Sequence, residues 1–465
     1  MDFAIISSFA LLLQEFQGYF TKPSFDLFKA LAIGWLVTPG RKTITNIVRT
    51  LGTTAHRSHD AYQNFFSENK WTTKAISEKL FALLLVKLLP TGVIRLGGDD
   101  TLVKHFGRKI FGIGIFRDPV RSTDWHTSFT LAHNWVILYV LVRVPFVAFT
   151  WVALPVCSRL RPKHEPETKK HKGRKSKRRT AAKTDKTMVV LMKEMVEQIV
   201  SLAPHRQFIF VTDAGYATLL GQLPNQTTIV SRIRKDAKLF DLPVITPHKR
   251  GPHPKKGKRL PSPAQKAESA TWEPVDVVIY GTPLTLSVCS YVALWYQVCK
   301  DQPIRIVIVR DPKGKYKDQF FFTQDLHMPL ADVLEIIASR WPVETAHREL
   351  KQYLGMEQPQ ARLEQAVTRQ APFAMLLLSL VKLWYLTEGY LVDSFRDVKD
   401  PWYIHKNGLP LSDILRLLRC SYWADRIFAH SNFDQKQHEF LAQFIQFFSR
   451  AACFLVAFCS FFYLF

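Results

Sequence analysis

The chain has 465 residues, which at about 100–200 residues per domain is enough for roughly two to four structural units. Its 47% hydrophobic and 13% aromatic content excludes a disordered protein, and six cysteines without a CxxC pair argue against a disulfide framework or a zinc cluster. The 63 Lys and Arg against 39 Asp and Glu give a net charge of +24, which predicts a polyanionic partner, either nucleic acid or an anionic membrane surface.

Residues 1–88 are predicted to form a helical N-terminal DNA-binding region. Apolar residues recur there at helical spacing, and the segment 41–51 places its isoleucines, Val48 and Leu51 on one face, with Arg41 and Lys42 at its start. A small basic helical module is a common DNA-reading unit, but a solvated helix face has the same pattern.

Residues 89–224 are predicted to form the first part of an RNase H-like core. The apolar stretch 135–157 contains Arg143 and Pro145, which a spanning helix would have to bury, so we interpret it as two buried strands. The predicted order is strands at 93–100, 132–142 and 146–156, a helix at 186–203 and a strand at 207–212. Three strands, a helix and a strand that ends in an acid follow one another in RNase H-like folds.

Two basic runs interrupt this pattern. Residues 161–186 hold twelve Lys and Arg against three acids, and residues 249–259 hold six and no acid. Both lack apolar periodicity, so we predict disordered loops that are attracted to phosphate.

The rest of the chain is β-rich and then helical. Residues 225–325 are predicted to be a β-rich insertion, 326–390 to hold a helix at about 330–356 and the helix after it, and 391–465 to form a helical C-terminal region. The apolar tail 451–465 is shorter than the ~18–20 residues of a membrane span. We therefore favour a core helix, or a helix packed on a partner, over a membrane contact there.

Carboxylates follow two of the predicted strands. Asp99 and Asp100 end VIRLGGDDT, and Asp213 ends the strand of FIFVTDAGY. Ligands tend to bind at the carboxyl ends of strands in open sheets, although Asp is also a common residue for leaving a strand.

A third carboxylate lies in the segment 339–355, SRWPVETAHRELKQYLG. On one helix, Arg340, Arg348 and Lys351 would all lie within about 40° of Glu344, whereas Glu349 would face solvent. An exposed helix stabilised by i,i+4 ion pairs would share this pattern.

The spacing of Arg340, Glu344 and Lys351 resembles the Y-R-E-K signature of bacterial insertion-sequence DDE transposases, with Ile337 in the tyrosine position. Residues 213–216, DAGY, resemble the family's second-aspartate motif. GGDDT resembles its first, with Asp100 the better match and Asp99 the second choice. The resemblance covers almost the whole chain.

This resemblance implies an α/β fold with an RNase H-like catalytic core, a β-rich insertion and helical N- and C-terminal regions. It implies a DNA transposase that cleaves terminal inverted repeats and transfers strands into target DNA by cut and paste. The implied catalytic residues and ligands of two Mg²⁺ or Mn²⁺ ions are Asp100, Asp213 and Glu344, with Asp100 bridging the ions.

The expected partners are transposon ends and target DNA, bound by a homodimer in a synaptic complex, with no small-molecule cofactor. The expected setting is the bacterial cytoplasm, in association with the nucleoid. The predicted DNA-binding residues are Arg340, Arg348, Lys351, Arg232, Arg234, Arg41 and Lys42.

Several alternatives remain at this stage. A transposase-derived DNA-binding protein without cleavage activity would keep much of the same sequence, and a basic peripheral membrane protein is a third possibility. Trp272 and Trp295 lie in the region where relatives place an aromatic against a flipped base; the sequence does not choose between them, and core packing is the favoured role for either. The histidines near the first strands lack metal-ligand spacing and are predicted to be structural; they are His105, His126 and His133.

Overall fold

The computed structural model describes residues 4–123, 125–161, 186–244, 254–391, 410–428, 435–437 and 439–445. Within residues 4–428 of these ranges it contains ten strands and twelve α-helices, and residues 435–437 and 439–445 are also helical. The strands are β1 Ile94–Lys104, β2 Gly114–Arg117, β3 Phe129–Arg143, β4 Trp151–Arg161, β5 Phe208–Thr212, β6 Thr227–Arg232, β7 Glu273–Ile279, β8 Thr282–Leu294, β9 Pro303–Arg310 and β10 Gln319–Thr323. The helices are α1 Ala4–Gln14, α2 Lys22–Val37, α3 Ile44–Leu51, α4 His59–Ser67, α5 Thr73–Lys87, α6 Met188–Ser201, α7 Pro263–Glu268, α8 Tyr296–Cys299, α9 Leu330–Ala338, α10 Pro342–Gln352, α11 Glu364–Thr387 and α12 Leu411–Phe428.

Five strands form the core of the sheet in the order β4-β3-β1-β5-β6. The pairs β4–β3 and β3–β1 are antiparallel, and β5 and β6 run parallel to β1. Helix α6 connects β4 to β5 across a face of this sheet. This is the strand order and direction of an RNase H-like core, as the sequence predicted.

The β-rich region extends the same sheet and does not form a separate one. From β6 the order continues through β10, β9, β8 and β7, and all four of these junctions are antiparallel. β6 lies inside the segment 225–325 that was predicted to be an insertion, yet it is an inner strand between β5 and β10. The strands that extend the core therefore begin after β6.

The apolar stretch 135–157 is part of two strands, as predicted. β3 ends at Arg143, and β4 begins at Trp151 and pairs back on β3. One helix in the described part of the chain, Glu364–Thr387, has the length and hydropathy of a membrane span, but 89% of its apolar window is buried inside the protein. The tail 451–465, residues 162–185 of the first basic run and residues 249–253 of the second lie outside the described residues. Residues 254–259 of the second run are not a disordered loop as predicted, because Gly257 N–H donates to the carbonyl of Asp241 and Arg259 forms a β-bridge with Phe240.

Both helical regions pack together next to β4, the strand at one edge of the core sheet. Helices α1, α2, α4 and α5 contact α11 or α12. Aromatic rings fill this junction; Phe28, Phe65 and Phe66 all lie within about 6 Å of the Phe373 ring. The Trp35 Nε1 donates to the carbonyl of Leu354 at 2.8 Å, which ties α2 to the chain just after α10.

Lys42 corrects one prediction of the sequence analysis. Its side chain is only 2% exposed and its ammonium donates to the carbonyl of Thr38, while its backbone N–H donates to Gln358 Oε1 at 2.6 Å. It therefore joins the N-terminal helices to the end of the catalytic region and is not placed to contact DNA. Arg41, next to it, is exposed.

The predicted helix at 330–356 is two helices. α9 ends at Ala338, residues 339–341 form a turn, and α10 begins at Pro342. Proline lacks the N–H and fits the first helical position, which explains why a new helix starts there. Arg340 therefore lies in the turn before α10 and not on the helix that carries Glu344.

Two glycines allow helices to approach both faces of β1. A Cβ on Gly97 would lie 3.0 Å from Val343 of α10, and a Cβ on Gly98 would lie 2.6 Å from the Phe210 ring and 2.9 Å from Met192 of α6. Because successive residues of a strand point to opposite faces, α10 covers the face of Gly97 and α6 covers the face of Gly98.

Candidate active site

The paired aspartates of β1 point to different faces of the sheet. Asp99 shares the face of Gly97 and Arg95, and Arg95 forms an ion pair of 3.3 Å with Glu335 of α9. Asp100 shares the face of Gly98, which α6 covers. Only Asp99 is therefore on the side of the sheet that faces α9 and α10.

Arg340 joins Asp99 to Glu344. Its Nη1 lies 3.3 Å from Asp99 Oδ2 and its Nη2 lies 2.9 Å from Glu344 Oε1. The arginine side chain is 16% exposed, Asp99 is 20% exposed and Glu344 is 40% exposed, so one guanidinium is shared by two partly buried carboxylates and balances only one of their two charges. Glu344 lies in the first turn of α10, where a negative charge is favoured.

Asp213 stands beside Asp99 at the end of β5. The parallel register pairs Gly98 with Thr212, so the next residues of the two strands are Asp99 and Asp213. Val211, two residues earlier, packs in the apolar cluster that contains residues of α9, and alternation directs Asp213 to the same face. Its Oδ1 accepts from the N–H of Gly215 at 3.0 Å and caps the 3₁₀ turn of residues 214–219.

The electrostatics of Asp99 are those of a carboxylate that lacks enough positive charge. Burial raises the pKa of Asp99 to about 7; the charge of Arg340 opposes this rise and the charge of Asp213 adds to it. A bound cation would therefore favour the ionised form. Among the described residues, no three His, Cys, Asp or Glu side chains are close enough together to hold a metal ion as they stand, and Arg340 lies between two of the candidates.

Asp100, the first choice of the sequence analysis, has structural partners. Its Oδ1 accepts a hydrogen bond of 3.2 Å from the hydroxyl of Tyr216, which is 1% exposed. Burial raises the pKa of Asp100, while hydrogen bonds from Asn134 and Tyr216 lower it. The tyrosine of the DAGY motif thus connects the turn after β5 to β1 on the face opposite Asp99.

Comparison with known proteins identifies the family to which the chain belongs. The profile of the DDE superfamily endonucleases matches residues 15–279, which is more than half of the chain and includes both aspartate motifs. The chain belongs to the DDE superfamily endonucleases. A second profile, described as "Archaeal putative transposase ISC1217", matches residues 286–388 and covers Glu344. These matches identify the protein as a DNA transposase of the DDE class.

Among solved structures, the chain is similar to the piggyBac transposase in its synaptic complex with hairpin DNA, determined by cryo-EM. The identity is 10% and the TM-score is 0.41, over 91% of this chain and 76% of that chain. No curated protein matches the sequence.

The cations that follow Glu344 have different environments. Lys351 Nζ donates to the carbonyl of Leu102 in β1 at 2.8 Å and lies 3.7 Å from Glu357, and burial lowers the pKa of Lys351. Arg348 is exposed. Lys351 thus fixes α10 to the strand that carries Asp99, whereas Arg348 is accessible to a phosphate.

Glu349 is buried, contrary to the prediction that it faces solvent. Its Oε2 lies 2.5 Å from Lys382 Nζ of α11, and both side chains are 10% exposed. The helix has no solvent-facing side at this position because α11 packs there. His347 is also enclosed: its ring lies 5.7 Å from that of Tyr139, and burial lowers its pKa to about 3, helped by the charges of Lys351 and Arg340.

The arginines after β5 are at the surface. Arg232 is the last residue of β6 and its guanidinium lies 6.0 Å from the Phe321 ring. Arg234 forms a two-pronged ion pair with Asp236, at 2.9 and 2.7 Å, and both side chains are exposed. Exposed pairs are weak, so a phosphate could displace Asp236.

The two candidate tryptophans have contacts within the fold. Trp295 is 8% exposed and packs edge-on against Phe322, so it is a core residue. Trp272 is half-buried and lies 4.1 Å beneath the guanidinium of Arg310.

The three histidines of the first strands differ in exposure. The rings of His105 and His133 lie 4.4 Å apart, and burial lowers both pKa values, that of His105 to about 4. His126 is exposed.

Sequence reasoning missed Tyr280. It forms the tight turn between β7 and β8 with a φ of 51°, and its hydroxyl donates to the carbonyl of Ala338 at 3.3 Å. Burial and the charge of Glu344 raise the pKa of Tyr280, so the ring is close to α10. A Tyr-Gly pair between two alternating strands signals the turn, but nothing local indicates that the turn reaches α9 and α10.

Proposed function

We propose that this DDE transposase cleaves DNA at the ends of its own element and joins the freed 3′-hydroxyls to target DNA. The observation that carries the proposal is the placement of Asp99, Asp213 and Glu344 on one face of the core sheet. Carboxylate oxygens are the ligands that Mg²⁺ and Mn²⁺ prefer, and the buried charge of Asp99 favours a cation.

We assign Asp99, and not Asp100, as the first carboxylate of the set. Two divalent ions held by these residues would supply a nucleophile at neutral pH and stabilise the charge on the departing oxygen. The chain's own contribution is to orient the scissile phosphate. Arg340 and Arg348 would bind its flanking phosphates, and Arg340 would exchange carboxylate partners for a phosphate.

Cut-and-paste chemistry requires two element ends, and we propose that two copies of the chain hold them in one complex. Light scattering of the protein with and without a duplex of the element end measures this directly. We expect a dimer with two duplexes; a stable one-to-one complex that cleaves would contradict it.

The test of the proposed activity is cleavage of a labelled duplex that carries the element's end, in Mg²⁺ or Mn²⁺. We expect wild type to nick at the end and Glu344→Gln to bind the duplex without nicking. Glu194→Gln is the matched control, because Glu194 on α6 is also 40% exposed and also paired with a cation, Lys186. If wild type binds the end but does not cut it, the chain acts as a transposase-derived DNA-binding protein.

A further inference from the structure

The segment between β1 and β3 exposes aromatic and basic side chains that the proposed active site does not use. We call residues 105–131 the β2 arm. Phe106 and Trp125 are each 98% exposed, and Phe129 is 63% exposed. Single exposed apolar residues are common, but fully exposed aromatic rings grouped in one short segment are typical of a binding surface.

The β2 arm is held in place by its own contacts. β2 pairs with the start of β3 over residues 114–117 and 129–132. Asp118 accepts from the N–H of Val120 at 3.0 Å and pairs with Lys104 at 2.9 Å, and Phe111 is held through its carbonyl by His133 Nε2 at 2.8 Å. The exposure of the rings is therefore a property of an anchored hairpin and its loops.

The charge of the arm selects an anionic partner. Four of its side chains are exposed cations: Arg108, Lys109, Arg117 and Arg121. The arm holds two acids. Asp118 is 2% exposed and paired with Lys104, and Asp124 lies outside the described residues. Four cations against these two acids leave the arm with a positive net charge. Two such surfaces would repel each other, so a second copy of the chain is a poor partner for this face.

A cation and an aromatic ring lie side by side on the hairpin of the arm. Arg117 lies directly opposite Phe129 in the β2–β3 register, so a guanidinium and a ring share the exposed face of the hairpin. Basic residues that follow a phosphate backbone, combined with rings that stack on bases, are the usual means of binding unpaired DNA. Paired bases are stacked on each other and offer no free face to a ring.

The arm is also close to the proposed cleavage centre. Lys104 follows Asp99 by five residues of β1, a distance of about 17 Å at 3.3 Å per residue. This is about the length of five base pairs at 3.4 Å each. A duplex held at Asp99 would thus reach the arm within about half a helical turn.

We infer that the β2 arm binds DNA whose bases are unpaired, with Phe106 and Trp125 stacked on bases and the four cations on phosphates. The inference rests on the proposed function only for the choice of DNA as the polyanion. It predicts that the protein prefers a duplex with a short unpaired bubble over the fully paired duplex of the same sequence.

Fluorescence anisotropy with these two probes, without divalent metal, tests the inference. We expect Phe106→Ala/Trp125→Ala to lose affinity for the bubble by about tenfold or more and to bind the paired duplex within about twofold of wild type. Tyr316→Ala is the matched control, because Tyr316 is a 66% exposed aromatic outside the arm. Binding of the bubble should also quench Trp125 fluorescence, measured as the difference between wild type and Trp125→Phe.

Three outcomes would overturn the inference: no loss for the double variant, an equal loss on both probes, or reduced self-association in sedimentation with unchanged binding of both probes. Replacing the four cations with Gln should weaken binding of both probes and flatten its salt dependence. If the arm does not bind unpaired DNA, wild type should still cleave the element end and Glu344→Gln should still not cleave it. The two proposals can therefore be rejected independently of each other. Thermal unfolding of each variant verifies that it is folded.

Discussion

Asp99 and Asp100 are adjacent in β1, but their carboxylates lie on opposite faces of the sheet. Asp99 contacts Arg340 below α10, and Asp100 accepts from Tyr216 on the α6 side. Because successive residues of a strand alternate between faces, only Asp99 shares an arginine with Glu344. Substitutions at the two positions can therefore distinguish the two candidates experimentally.

Asp99→Asn should reduce cleavage of the element end to background, because it removes the charged oxygen on the side of Glu344. Asp100→Asn keeps an acceptor for Tyr216, so it should retain at least about a tenth of the cleavage rate and cost about 1 kcal/mol of stability. Single-turnover cleavage and urea unfolding measure the two effects. The opposite pattern of cleavage would reinstate Asp100 as the first ligand.

Arg340→Gln should increase the affinity of the DNA-free protein for Mn²⁺ and reduce end cleavage. The guanidinium competes with a cation for Asp99 and Glu344, and the same group is expected to hold phosphate during the reaction. Isothermal titration with Mn²⁺ measures the affinity, with Arg348→Gln as a control because Arg348 is exposed. A weaker affinity in Arg340→Gln would show that the arginine organises the carboxylates instead.

The affinity for Mn²⁺ should rise with pH up to about pH 7 and then level off. Burial raises the pKa of Asp99 to about 7, so below that pH a metal must displace a proton and its affinity falls by up to about tenfold per pH unit. Titrations between pH 5.5 and about 8.5 measure the profile. Asp100→Asn should keep the step at pH 7, and a profile without that step in wild type would contradict the assignment of Asp99.

Lys382→Met should destabilise the protein by about 3–5 kcal/mol, because it leaves Glu349 charged, buried and unpaired. Replacing both Lys382 and Glu349 with Met should recover most of the lost stability, because two apolar side chains carry no cost of burying a charge. The control is Lys193→Met, whose partner Glu197 is exposed, with an expected cost below about 1 kcal/mol. Denaturant unfolding measures the loss of stability in each variant. Equal losses in Lys382→Met and Lys193→Met would contradict the interpretation of Lys382 and Glu349 as a buried pair.

The protein should lose stability as the pH falls below about 6.5, in part because of His347. The folded pKa of His347 is about 3 and the ordinary value is 6.5, so the unfolded chain binds a proton that the folded protein does not. The loss is up to about 1.4 kcal/mol per pH unit between these two values. His347→Asn should reduce the slope of unfolding free energy against pH by about one proton, and the exposed His126→Asn should not. An unchanged slope in His347→Asn would mean that the ring is protonated in the fold.

The sequence by itself determined the main strands of the core sheet, the helix α6 and the family of the protein. The alternation and length of the apolar runs predicted β1, β3, β4, α6 and β5, because a strand or helix must bury one face whatever surrounds it. Asp213 and Glu344 were predicted as site residues because each lies in a short motif that can be recognised without knowledge of its neighbours; their catalytic role stays a prediction.

Only the tertiary structure decided which helix packs on each face of the sheet, and therefore which side chains lie together. Adjacent aspartates on a strand cannot be distinguished until the layers above and below are known, and here Gly97 and Gly98 admit α10 on one side and α6 on the other. The same limit explains Glu349, whose partner Lys382 is on another helix, and Lys42, whose partner Gln358 is more than 300 residues away. Whether a side chain is buried depends on the elements that pack against it, and the hydrophobic periodicity of one element does not show which other elements those are.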